Sequence, residues 1–128
     1  MDLLDSIIRA KRVYIIGNGG SAANAMHIAN DLVSCGIRAH ALTADIATFS
    51  AIANDYGYEN VFSKQIEVFG ESDDLLIALS GSGKSPNILK AIKTAQDIGM
   101  NIWRIFGNER GENMQQAEET QLKIGHDL

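Results

Sequence analysis

The chain has 128 residues, 45% hydrophobic and 21% charged, enough for one domain with a substantial core and incompatible with a largely disordered polymer. Its formal net charge is −5, and the lysines and arginines are scattered without interleaved aromatics, which excludes direct nucleic-acid binding. An anionic ligand would therefore have to be held locally, by loop amides and hydroxyls.

Leu3, Leu4, Ile7 and Ile8 recur at helical spacing, so residues 2–10 are predicted as a short amphipathic helix whose stripe faces the core or a partner. Asp2 and Asp5 stand where a signal peptide would be basic, and no apolar run approaches the ~18 residues of a membrane span. The expectation is a cytoplasmic protein without membrane contact. Val13 to Ile16 is a β-branched and aromatic strand that empties into Gly17-Asn18-Gly19-Gly20-Ser21. Ser21 is expected as the N-cap of a second helix with Ala22, Met26, Ala29 and Val33 buried, and with Asn24, His27 and Asp31 on the other side. Cys35-Gly36 ends it. As the only cysteine, Cys35 precludes an internal disulfide and suits a reducing compartment.

Ile37 to Leu42 reads as a weak second strand, Thr43 to Asn54 as a helix, and Tyr58 to Phe69 as another with Val61, Phe62, Ile66 and Phe69 on one face. Leu75 to Leu79 is a third strand that breaks into Ser80-Gly81-Ser82-Gly83-Lys84-Ser85-Pro86. A helix over 87–98 with Ile88, Leu89, Ile92 and Ala95 inward follows, stopped by Gly99. Residues 101–106 are a fourth strand, 112–117 a short helix and 121–124 a last strand. Strands alternating with helices, none joined by hairpin signals, predict a three-layer α/β/α sandwich of flavodoxin- or Rossmann-like type with a mostly parallel sheet of about five strands.

Two loops carry the chemistry. Glycines at a strand end let the backbone approach a ligand, and the unpaired N–H groups opening a helix suit an anion. A pair of such loops in one small domain points to one site reached from two strand ends. Gly17-Asn18-Gly19-Gly20-Ser21-Ala22 also satisfies the dinucleotide pattern G-x-G-x-x-A, with Asp45 past the second strand where a ribose-binding acid could sit. Against that reading, Ser80, Ser82 and Ser85 offer three hydroxyls where a dinucleotide fold needs none. Gly83-Lys84-Ser85 resembles the end of a Walker A loop, but the required earlier glycine is Ala78. A phosphate monoester of a sugar, held without a metal, fits best.

At GNGGSAANAMHIANDL, DIATFSAIANDYGYENVFSKQIE and LIALSGSGKSPNILKAIKTA the sequence resembles the sugar isomerase (SIS) domain family, and within it the phosphoheptose isomerases, from about Arg12 to Ile124. The resemblance implies aldose–ketose isomerisation of sedoheptulose 7-phosphate. It implies a phosphate site at Gly19, Gly20, Ser21, Ser80, Gly81, Ser82 and Ser85, with sugar contacts from Asn18 and Asp45. His27 and Asp31, i and i+4 on one helix, would be the catalytic pair, because the reaction needs a carboxylate base near C1 and C2 and a group that serves the oxygens. No cofactor is expected. In zinc-binding members His27 and Asp31 would fall at the metal.

Two departures accompany the resemblance. Asp31 stands where the family has a catalytic glutamate, one methylene longer. Residues 1–128 are expected to form a single SIS domain without the family's long N-terminal helices and its C-terminal catalytic helix. A homodimer or homotetramer is expected, since the family builds its sites where subunits meet. Two other readings stand beside the isomerase: a non-catalytic phosphosugar-binding regulator or adaptor, and a dinucleotide-binding module.

Overall fold

The computed structural model describes residues 2–107. In order these form helix α1 (Leu3–Arg9), strand β1 (Val13–Ile16), α2 (Gly20–Ser34), β2 (Ala39–Ala41) and α3 (Ile46–Tyr56). There follow a 3-10 turn (Tyr58–Asn60), α4 (Ser63–Phe69), β3 (Leu75–Ser80), α5 (Pro86–Ile98) and β4 (Asn101–Phe106). The four strands form one parallel sheet in the order β2-β1-β3-β4. The helix expected at 112–117 and the fifth strand expected at 121–124 lie outside the described residues.

The sheet is covered on both faces, as parallel sheets must be, because each crossover lays a helix on it. Tyr14, Ile16, Leu76 and Ala78 point to one side. There they meet Val61 and Phe62, Ile66 of α4, Ile88, Ala91, Ile92 and Ala95 of α5, and, more peripherally, Phe49 and Ile52 of α3. Val13, Ile15, Leu75, Ile77 and Leu79 point to the other, against Ile7 of α1 and Ala25, Ile28, Ala29 and Leu32 of α2. Trp103 of β4 packs on this second layer and donates its indole N–H to Ser6 Oγ of α1 at 3.0 Å. The stripe on α1 splits accordingly: Ile7 is buried and Leu3 half-buried, while Leu4 and Ile8 face outward.

Several local expectations are corrected. The buried face of α2 is Ser21, Ala25, Ile28, Ala29 and Leu32, whereas Met26 and Val33 are exposed. α2 is apolar on more than one side, and the side that goes inward is the one packed on the sheet, where Ala25, Ile28, Ala29 and Leu32 meet Val13, Ile15 and Ile77. Ser21 is not the N-cap; Gly19 is. α3 begins at Ile46 because Asp45 caps it, accepting from Thr48 N–H at 3.2 Å. The helix expected over 58–69 is a 3-10 turn followed by α4. Side chains in a 3-10 turn advance faster around the axis than in an α-helix, so Val61, Phe62 and Ile66 go inward and Phe69 is left half out. Leu89 of α5, expected inward, is exposed.

Candidate functional site

β1 and β3 are parallel neighbours with Ile16 opposite Ala78, so the two glycine-serine loops leave the sheet side by side. Strand order reverses between them, and α2 and α5 depart to opposite faces. A crevice opens there for geometric reasons, at the place where open parallel sheets hold their ligands.

The first loop is built on close approach. A Cβ at Gly17 would lie 2.6 Å from the carbonyl oxygen of Ser21, so the strand end passes under the first turn of α2 only as glycine. Gly19 takes φ 54° and ψ −120°, and α2 starts without a side-chain cap. α5 starts similarly: Ser85 occupies its N-cap position without making a capping bond, and Pro86 follows. Two helix N-termini without side-chain caps thus open at the loops, and their partial positive charge favours an anion.

The second loop is shaped by its own hydroxyls. Ser80 Oγ accepts from Gly83 N–H at 2.9 Å and Ser82 Oγ from Lys84 N–H at 3.1 Å. Ser80 is buried, Gly81 half-buried and Ser82 exposed. Between the loops, Asn18 and Asn87 form a reciprocal amide pair, each Nδ2 donating to the other's Oδ1 at 2.8 Å. Tyr58 donates its hydroxyl to Asn18 Oδ1 at 3.0 Å. Asn18, Tyr58, Glu59, Ser85, Pro86 and Asn87 line a cavity of about 430 Å³ at this point.

Tyr58, Glu59 and Asn87 were not singled out from the sequence. Asn87 alone had a signal, a polar residue in the first turn of a helix that leaves a serine loop. Of the residues expected at the site, Asn18 and Ser85 line this cavity, and Gly19, Gly20, Ser21, Ser80, Gly81 and Ser82 belong to the loops beside it. His27 and Asp31 lie further along α2, half-buried, with Nε2 3.4 Å from Oδ2. They are not among the cavity's lining residues.

Asp45 lies elsewhere. Its Oδ2 accepts from the Thr48 hydroxyl at 2.8 Å, and this bond, with the Thr48 N–H, holds its carboxyl below the usual aspartate value. It borders a larger groove of about 500 Å³ beside edge strand β2, with Arg12, Tyr14, His40 and Phe69 among its walls. Burial pushes the Tyr14 phenol there above its ordinary value. That groove has no glycine loop, and the helix N-terminus on its wall, that of α3, already carries the Asp45 carboxylate as its cap. A zinc site needs at least three protein donors; among the described residues no three His, Cys, Asp or Glu side chains come together. His27 and Asp31 give two donors, and the described residues do not by themselves fit the ion.

Fold and site together define an open α/β domain with its ligand crevice at the topological switch point of a parallel sheet. The SIS domain family model matches residues 2–107, and the chain belongs to that family. It is 48% identical over 113 residues to a phosphoheptose isomerase of Burkholderia pseudomallei, covering 84% of this chain and 57% of that protein. A phosphoheptose isomerase of Helicobacter pylori is 40% identical over 116 residues, 86% of this chain and 60% of that one. The structure of phosphoheptose isomerase from Neisseria gonorrhoeae superposes with a TM-score of 0.88 at 31% identity, covering 98% of this chain and 77% of its own. The chain spans less than two thirds of the length of the first two relatives. No helix among the described residues is long and apolar enough to cross a membrane.

Proposed function

We propose that this chain binds a sugar phosphate in the crevice between its two serine-glycine loops and carries out the aldose–ketose isomerisation of sedoheptulose 7-phosphate. One observation carries the binding half: two adjacent strand ends deliver two helix N-termini without side-chain caps and four serines to one place. A phosphate there takes its bonds from N–H and O–H donors. Likeness to relatives named phosphoheptose isomerase supports the chemical half.

In that reaction a base removes the C1 proton of the ketose while O2 gains one, giving an enediol; O1 then loses its proton and C2 takes one up, with no net oxidation. Asp31 is the base in this reading. His27, within 3.4 Å of it, carries the proton between the oxygens. The protein acts in the cytoplasm as a homodimer or larger homo-oligomer, for which the outward Leu4 and Ile8 of α1 offer apolar surface. The position of His27 and Asp31 outside the cavity lining favours a second reading, a non-catalytic phosphosugar-binding regulator.

The experiment is to incubate the protein with sedoheptulose 7-phosphate and measure aldoheptose 7-phosphate. Asp31→Asn should abolish turnover while leaving phosphosugar binding nearly unchanged, and Asp31→Glu should preserve or raise it. Turnover that survives Asp31→Asn refutes the base assignment. Binding without turnover in both wild type and Asp31→Glu selects the regulator.

A further inference from the structure

We propose that Asn87 and Tyr58 are positioning residues that hold the Asn18 side chain as a hydrogen-bond donor to the ligand and fix the spacing of the two loops. The inference rests on the sugar-phosphate reading above and names residues it does not include. Asn18 and Asn87 are 69 residues apart in sequence and belong to different loop–helix junctions. A reciprocal pair with both bonds at 2.8 Å constrains orientation as well as distance, which a single bond does not. Asn87 is 2% exposed, so its amide is locked by its surroundings before a ligand arrives.

The polarity of the arrangement follows from counting. A side-chain amide oxygen has two lone pairs and its nitrogen two N–H groups. Asn18 Oδ1 accepts from Asn87 Nδ2 and from the Tyr58 hydroxyl, so both lone pairs are spent. Asn18 Nδ2 uses one N–H on Asn87 Oδ1, and among the described residues the other has no protein acceptor. The latch therefore offers a ligand N–H and not C=O. Phosphate, hydroxyl and carbonyl oxygens of a sugar phosphate are all acceptors. Tyr58 has its ring edge-on against Phe49, with centroids 5.8 Å apart, so its hydroxyl can be deleted while its packing is kept.

The test is calorimetric titration of sedoheptulose 7-phosphate into wild type, Tyr58→Phe, Asn87→Ala and Asn87→Asp, with urea unfolding of each. Tyr58→Phe should bind about fivefold more weakly because the Asn18 amide is no longer held in one orientation, and its unfolding midpoint should fall by no more than the loss of one exposed hydrogen bond. Asn87→Ala should lose about tenfold or more. Asn87→Asp keeps the side-chain shape but sets a carboxylate oxygen against Asn18 Oδ1, a repulsion that turning the Asn18 amide over only moves to the other oxygen, so the pair is forced apart and binding should weaken beyond Asn87→Ala. Tyr58→Phe keeps the proposal testable if an Asn87 variant does not fold. Wild-type affinity in folded Tyr58→Phe and Asn87→Asp overturns the inference and leaves the sugar-phosphate reading standing. No binding to wild type overturns that reading and the inference with it.

Discussion

Gly17→Ala tests whether the site depends on the close passage of β1 under α2. The added methyl carbon would stand 2.6 Å from the Ser21 oxygen, 2.7 Å from its carbonyl carbon and 2.9 Å from its Cβ. Two of these are backbone atoms inside a helix, so no rotamer change relieves them. Restoring ordinary contact distance needs the first turn of α2 to move by about 0.8 Å, and such overpacking costs about 1–3 kcal/mol. Replacing glycine by alanine also restricts the unfolded chain, a gain of about 0.4–1 kcal/mol where the native backbone suits alanine. Gly17 is not among the positive-φ glycines, so this gain applies, and the net loss lies between about 0 and about 2.6 kcal/mol. Urea unfolding followed by circular dichroism measures that difference. Calorimetric titration with sedoheptulose 7-phosphate should show affinity falling more than tenfold, because the moved turn carries Gly20 and Ser21. Gly36→Ala is the contrast: its φ is +83° with nothing within 4 Å, so it is strained without crowding and should leave affinity untouched. A Gly17→Ala protein as stable as wild type, with unchanged affinity, would refute the reasoning.

Ser80→Ala combined with Ser82→Ala should remove the stabilisation that a saturating phosphosugar confers, about 2.7 kcal/mol at a hundred times the dissociation constant; a thermal shift equal to wild type counts against the second loop. Phe62→Ala, at a fully buried core position, should cost about 3–5 kcal/mol by urea unfolding. Burial raises the Tyr14 value in the folded state, so the unfolded chain ionises first and stability should fall as pH climbs past about 10. Tyr14→Phe should flatten that part of the curve. Asp45→Ala should lower the melting temperature by a few degrees at pH 7 through loss of the cap. Since the folded-state value of Asp45 is depressed, its contribution exists above about pH 4 and fades as pH falls through that lowered value, so the two melting curves should converge in acid.

The alternation of apolar runs with helical spacing was enough, from sequence, for a parallel three-layer α/β/α fold, because burial on both faces leaves strands such as Leu75–Leu79 uniformly apolar. The loops were legible for a similarly local reason: glycine next to serine at a strand end has few uses other than a tight turn or a ligand contact. Which strands adjoin could not be read locally, since β1 and β3 meet across more than fifty intervening residues, and only that pairing turns two loops into one crevice. The rotation of α2 was also tertiary. Ala22, Met26 and Val33 make as good a stripe on paper as Ala25, Ile28 and Leu32, and packing against Val13, Ile15 and Ile77 of the sheet decides between them. Asp45 illustrates the limit from the other side: from sequence it stood out only as an acid after a strand and a candidate ligand contact, and the bonds it makes to Thr48 as the cap of α3 became visible only in the fold. Asn87 and Tyr58 carry no motif at all. Their part in the site exists only because folding brings two separate segments to Asn18, and a side-chain amide has no preferred partner until its neighbours are in place.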